Sequence, residues 1–468
     1  MRAILVIVLT LLAVTSCAAD RDPRWTGTWA ASAQPSIPGT LETYDRQTLR
    51  LIVHTSVAGS QVRITLSNLY GTELLTIADA HLALRADGSR IDPRSDRALL
   101  FGGQSTVTIA PHGQVTSDAV ALSVPAMSDL AISFFLPTKV AATTSHLLAL
   151  QTSYVGTGNA VGATDFPVQQ TIDTWPFLSR VDVSGPAPLS SVAVIGSSTT
   201  DGDGSTQDHN GRMPDVLASR LQKVGGASAR IGVLNAGIIG NRLLKDSPAE
   251  SSFGAGLGEA VLARLDRDAL DQPGVQFMIV AIGVNDIAFP GAFTHADEAV
   301  SAQGLIQGYR EIISRAHARG IKVLMTTIPP FGNAIFPGDH TLVLHTPEKE
   351  AVRRAVNDWI RTTREADGIA DFDAVLRDPA HPDRLQPRFD SGDHLHANDA
   401  GYAASVEAVP LSFFTGSSRP ASLLIPLACS GSPAPASGGR ARSAASALHS
   451  PARRYRASHR PLRSRTVR

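Results

Sequence analysis

From Trp25 to about Pro186, hydrophobic and polar positions alternate in short runs. Leu49-Arg50-Leu51-Ile52-Val53-His54 and Val62-Arg63-Ile64-Thr65-Leu66 are two of these, parted by the turn residues Ala58-Gly59-Ser60. Residues 130–136 and 146–155 continue the pattern, and Pro and Gly punctuate it throughout. Period two with frequent turns and no helical repeat predicts an antiparallel β-sandwich over residues 25–187. No compact set of catalytic residue types stands out in this region.

At Leu189 the pattern changes. Apolar runs at 192–195, 231–234, 277–282 and 323–326 alternate with amphipathic stretches around 215–224, 303–318 and 348–366. Strand, helix, strand in this order predicts an α/β domain over residues 188–415, with a parallel sheet covered by helices on both faces. Ligands of such sheets bind at the carboxyl ends of the strands, so the residues just after each strand carry the chemistry.

Two end segments follow neither pattern. Arg2 precedes an apolar run over residues 3–14, too short to span a bilayer comfortably but suited to a signal-peptide core. It ends in Val14-Thr15-Ser16-Cys17, which resembles a bacterial lipobox and implies that Cys17 is lipid-modified; the alternative is a plain secretory signal whose cleavage removes Cys17. Residues 1–17 are therefore read as an export signal, placing the protein in the cell envelope or outside the cell, with membrane contact only through the lipid anchor. Residues 416–468 are rich in Ser, Ala, Pro and Arg, lack periodicity, and are expected to be disordered.

Charge sharpens this division. The 42 basic residues equal the 42 acidic ones, but the tail carries ten Arg and no acidic residue, so residues 1–415 hold 32 basic against 42 acidic side chains. An acidic body argues against nucleic acid as a partner. Only two cysteines occur, Cys17 and Cys429, which excludes a disulfide framework and a cysteine-ligated zinc site.

The candidate chemistry lies after the strands of the second region. After the first comes Gly196-Ser197-Ser198-Thr199-Thr200, a small-residue turn able to expose a hydroxyl nucleophile. The second leads into Ile238-Ile239-Gly240-Asn241, where a glycine amide can approach a developing oxyanion. Gly283-Val284-Asn285-Asp286 follows the third, and an Asn amide donates without bringing charge. Near the end stands Asp393-His394-Leu395-His396; if this is one helical turn, the spacing of three puts Asp393 and His396 on one side, with His394 on another face.

These four blocks, in this order, resemble the SGNH hydrolases, or GDSL-type esterases and lipases. The resemblance covers about residues 189–414 and implies a three-layer α/β/α, flavodoxin-like hydrolase domain behind the β-sandwich. It implies Ser198 as nucleophile, His396 as general base and Asp393 as its orienting partner. Ser198, Gly240 and Asn285 would supply the oxyanion hole. Where the family has Asp before the nucleophile, this chain has Ser197, which leaves open how the turn is braced. The expected function is hydrolysis of carboxylic esters through an acyl-enzyme, on acetylated carbohydrates or short-chain lipid esters. The competing expectation is a surface-anchored carbohydrate-binding lipoprotein with a degenerate hydrolase domain.

Other motifs carry less. Asp201-Gly202-Asp203-Gly204 lacks the later acidic ligands of a calcium loop and is read as a solvated turn. Gly254-Ala255-Gly256-Leu257-Gly258 is not a dinucleotide fingerprint, so no cofactor is expected; it is read as a flexible segment or a cleft lining. Ile328-Pro329-Pro330-Phe331-Gly332 and Phe289-Pro290-Gly291 are candidate apolar walls for an acyl pocket, with ordinary packing the simpler role. His209, His295, His340 and His345 show no metal-ligand spacing, and no metal site is expected.

Overall fold

The alternation in the first region folds as two large antiparallel sheets, with three two-stranded pairings beside them. One has five strands, running Thr26–Ala30, Leu178–Ser184, Gly59–Ser67 and Gln114–Thr116, with Val120–Val124 also paired to Gly59–Ser67. The other has seven, with Gln47–His54 and Asp129–Leu136 at its centre, paired over their full length from Gln47↔Leu136 to His54↔Asp129. Because side chains alternate across a strand, Leu49, Leu51 and Val53 point one way. There they share a core with Ile64, Leu66, Val181 and Val183 of the facing sheet. The opposite face holds Arg50, which a simple alternation would leave in water. The loop at 158–167 covers it instead, and its guanidinium donates to Ser133 Oγ at 2.8 Å and to the carbonyls of Ala163 and Val161 at 2.9 Å. The expected strand at 146–155 is broken: Thr144–Ser145 and Ser153–Thr157 are strands, and the residues between them turn toward the second region.

This computed structural model describes residues 24–187, 189–336 and 339–415; the proposed signal, Cys17, Cys429 and the tail 416–468 lie outside them. In the second region five strands pair in parallel in the order Ile231–Gly237, Ser190–Gly196, Val275–Ala281, Lys322–Thr326, Gly368–Ala370. Residues 192 and 194 face a cluster with Leu217 and Leu221 of the helix Met213–Val224 and Val406 of the helix Asp399–Glu407. Residues 193 and 195 face the opposite cluster, with Leu305 and Ile312 of the helix Ala302–His317 and Val356 of the helix Pro347–Thr362. Both faces of the sheet are thus covered, which is why its strands read as continuous apolar runs. The helix expected over 348–366 ends at Thr362, four residues early. Among the described residues no helix is long and apolar enough to cross a membrane.

The two regions, distinct in sequence texture, pack into one compact unit. Polar groups as well as apolar ones join them. Val233 N donates to Ser56 Oγ at 2.8 Å, Gly27 N to Pro273 O at 3.0 Å, and Arg212 Nη1 to Ala149 O at 2.8 Å. Buried polar groups are tolerated only when paired, so these bonds hold the regions in one relative placement.

Candidate active site

The strand Ser190–Gly196 runs straight into a four-residue helix, Ser198–Asp201. The break at Gly196 is required, because a Cβ there would lie 2.5 Å from Ala281 O and closer still to the Thr200 hydroxyl. Ser198 is the first residue of this helix, so its amide has no intrahelical acceptor and points outward. Its hydroxyl donates to His396 Nε2 at 2.8 Å, across 198 residues of chain. His396 Nδ1 in turn donates to Asp393 Oδ2 at 2.5 Å.

Asp393 and His396 are not on a helical turn, contrary to the expectation. The segment is a bend in which Asp393 Oδ1 accepts the amides of Leu395 at 2.9 Å and His396 at 2.8 Å. An acidic side chain that takes the amides two and three residues on makes a turn of its own. Carboxylate and imidazole therefore meet as the spacing suggests, by a different backbone geometry. His394 adopts a positive φ of 64° and pairs with Asp390 Oδ2 at 2.5 Å rather than with Ser198.

Electrostatics favour this constellation. Burial alone would push the His396 imidazole down, but the Asp393 hydrogen bond and the Asp203 and Asp393 charges outweigh it and raise its proton affinity. Burial likewise opposes the Asp393 charge, yet the His396 hydrogen bond and charge and the two backbone amides hold its carboxyl well below the usual range.

The expected oxyanion donors lie on segments tied to one another, through Asp201 Oδ2 with Ile239 N and Asn285 Nδ2 with Asn241 O. Gly240 has a φ of 69°, and a Cβ there would sit 2.7 Å from Leu257 Cδ1, so only glycine fits this turn. Among the described residues its amide has no hydrogen-bond partner. Asn285 is buried and spends one amide hydrogen on Asn241 O at 2.9 Å, leaving the second. The loop bearing Gly240 is held by Asp286, which accepts the amides of Leu243 at 2.7 Å and Leu244 at 3.0 Å. Burial pushes the Asp286 carboxyl up to about 6 against those two bonds.

Several residues that matter here escaped the sequence reading. The segment 201–204 is not a solvated turn: Asp201 is fully buried, with Oδ1 2.8 Å from His146 Nε2 and Oδ2 accepting Ile239 N at 3.0 Å. Its acidic, glycine-rich composition imitates a surface loop, while the contact that buries it lies 55 positions earlier in the chain. Asp203 reaches to 3.7 Å of His396 Nε2, and burial raises its carboxyl. Arg264, fully buried, donates to Gly196 O at 3.1 Å, Ala236 O at 3.0 Å and Asn241 Oδ1 at 3.1 Å. Ser197, which stands in the family's Asp position, is fully buried with an unpartnered hydroxyl. Among the described residues no group of three or more His, Cys, Asp or Glu is arranged to hold a metal ion.

Comparison with known proteins agrees with the four-block resemblance. Residues 194–404 match the GDSL-like lipase/acylhydrolase family. The chain therefore carries a GDSL-like hydrolase domain, and its class is that of the carboxylic ester hydrolases. No curated protein matches the chain. Among solved structures, a GDSL-like lipase from Bacteroides thetaiotaomicron VPI-5482 is similar at 15% identity over 48% of this chain and 88% of that one, with a TM-score of 0.33. The M. smegmatis aryl esterase is similar at 16% identity over 47% and 95%, with a TM-score of 0.35. An acetyl xylan esterase, AlAXEase, is similar at 18% identity over 47% and 96%, with a TM-score of 0.32. Such likenesses are too loose to carry function.

Proposed function

We propose that the protein hydrolyses carboxylic esters by a serine acyl-enzyme mechanism in a three-layer, flavodoxin-like domain. The observation that carries the reading is the unbroken line Ser198 Oγ, His396 Nε2, His396 Nδ1, Asp393 Oδ2, at 2.8 and 2.5 Å. Ser198 attacks the ester carbonyl while His396 takes its proton. Asp393 keeps the Nδ1–H tautomer, so that Nε2 is the lone pair facing the hydroxyl, and it stabilises the imidazolium that forms. The amides of Ser198 and Gly240 and the Asn285 side chain receive the negative charge on the carbonyl oxygen. His396 then returns its proton to the leaving alcohol, and water repeats the sequence on the acyl-Ser198 ester.

Two substrate groups belong to the proposal, acetylated carbohydrates and short-chain lipid esters. Rates across acetylated glycans and acyl esters of graded length decide between them. A degenerate, carbohydrate-binding domain is the competing reading, and the unpartnered Ser197 hydroxyl is the feature on its side. Hydrolysis of a short-chain aryl ester separates the two: Ser198→Ala is expected to lower turnover by about a millionfold while leaving the fold intact. Equal rates in the two proteins would sink the proposal.

A further inference from the structure

His146 lies in the amino-terminal sandwich region, 2% exposed, with its ring stacked on Trp175 at a centroid distance of 5.5 Å. Its Nδ1 is 3.0 Å from Ser32 O and its Nε2 is 2.8 Å from Asp201 Oδ1. A carbonyl and a carboxylate can only accept, so both ring nitrogens donate and the ring is an imidazolium. Asp201 ends the helix that Ser198 begins, and its other oxygen holds the amide of Ile239, the residue before Gly240. One carboxylate thus joins the nucleophile's helix to the oxyanion loop, and a cation from the other region neutralises it.

A second line of bonds starts from the same place. Ser32 Oγ accepts from Arg264 Nη1 at 3.1 Å, and Arg264 reaches Gly196 O and Asn241 Oδ1. Asn241 O accepts from Asn285 Nδ2. Ser32 of the sandwich is therefore bonded to two cations, and between them these brace the segments carrying Ser198, Gly240 and Asn285.

We propose that His146 is a positioning residue for the oxyanion hole, so that the sandwich region is a working part of the active site. Through Asp201 it supplies the bracing that Ser197 does not give. The inference rests on the oxyanion roles proposed above. Loss of the brace lets the Gly240 amide drift, and a displacement near 1 Å from a remote change costs about 100-fold in rate.

The test uses the full chain with His146→Gln, and with Asp201→Asn should the first variant fold poorly. Active Ser198 is titrated to completion with a fluorophosphonate, which removes misfolded protein from the comparison. Turnover per titrated site is expected to fall about 10–100-fold with KM within about twofold. Binding of a trifluoromethyl ketone, which forms an oxyanion on Ser198, should weaken by the same factor. His81→Gln, which removes a sandwich histidine paired with Asp96 at 2.9 Å, should leave both unchanged. A fall in melting temperature with unchanged turnover per site and unchanged ketone binding would overturn the proposal. Failure of the unaltered protein to titrate would instead overturn the role of Ser198.

Discussion

Two histidine–aspartate pairs, each in contact with the helix Ser198–Asp201, share a composition and differ in what lies beyond the second ring nitrogen. In the His396–Asp393 pair, Nε2 faces a hydroxyl that can give up a proton. In the His146–Asp201 pair, the remaining nitrogen faces the Ser32 carbonyl, which can only accept. The first ring keeps a lone pair for chemistry, whereas the second has both nitrogens committed as donors. Each is buried, and in each the carboxylate outweighs the cost of burial and raises the imidazole's proton affinity. Hydrogen-bond partners, more than residue type or burial, separate the proposed base from the proposed brace.

The largest effect should come from uncoupling the reactive pair. Asp393→Asn keeps the size of the side chain but permits the wrong tautomer, and turnover is expected to fall about ten-thousandfold with little change in fold. Steady-state kinetics with circular dichroism on the same sample reads both. Next, Asn285→Ala removes one oxyanion donor and should cost roughly 100–1,000-fold in turnover while affecting KM much less. A change confined to KM would remove Asn285 from the oxyanion hole.

A smaller effect concerns pH. His396 must be neutral to accept the Ser198 proton and its proton affinity is raised, so kcat/KM should climb with pH through a midpoint above about 6.5. Stability follows the same pair. The depressed Asp393 carboxyl contributes stability above about pH 3.9 that is lost as pH falls through its folded value. The raised His396 contributes stability below about pH 6.5 that is lost as pH rises through its folded value. The melting-temperature advantage of the unaltered protein over Asp393→Asn should therefore peak between about pH 4 and 6.5. The smallest effect on turnover should come from the sandwich interior: Ile132→Val, at a fully buried site, is expected to cost about 0.5–1.5 kcal/mol of stability and no turnover per titrated site.

The Asp393–His396 pair was legible in the sequence as a contact because its members sit three residues apart, and as a proposed catalytic pair only through the four-block resemblance. Its backbone was not, since a helical turn and an Asp-capped bend bring positions 393 and 396 together equally well. Gly240 and Asn285 were readable as candidates because each lies within four residues of a strand end, and only the four-block resemblance gave them oxyanion roles. The bracing pair was hidden for the opposite reason. His146 sits where strand alternation fails, and Asp201 sits in a stretch whose composition imitates a solvated loop. Arg264 and Arg50 were hidden too, because a lone Arg reads as surface until the carbonyl, hydroxyl and carboxylate oxygens that receive its N–H groups are seen.

Mass spectrometry of the intact, folded protein after fluorophosphonate treatment tests the central claim most directly. The account predicts one adduct, on the peptide containing Ser198, absent in Ser198→Ala and formed far more slowly in His396→Ala. No adduct on folded protein, or an adduct on another residue with Ser198 unmodified, would contradict it.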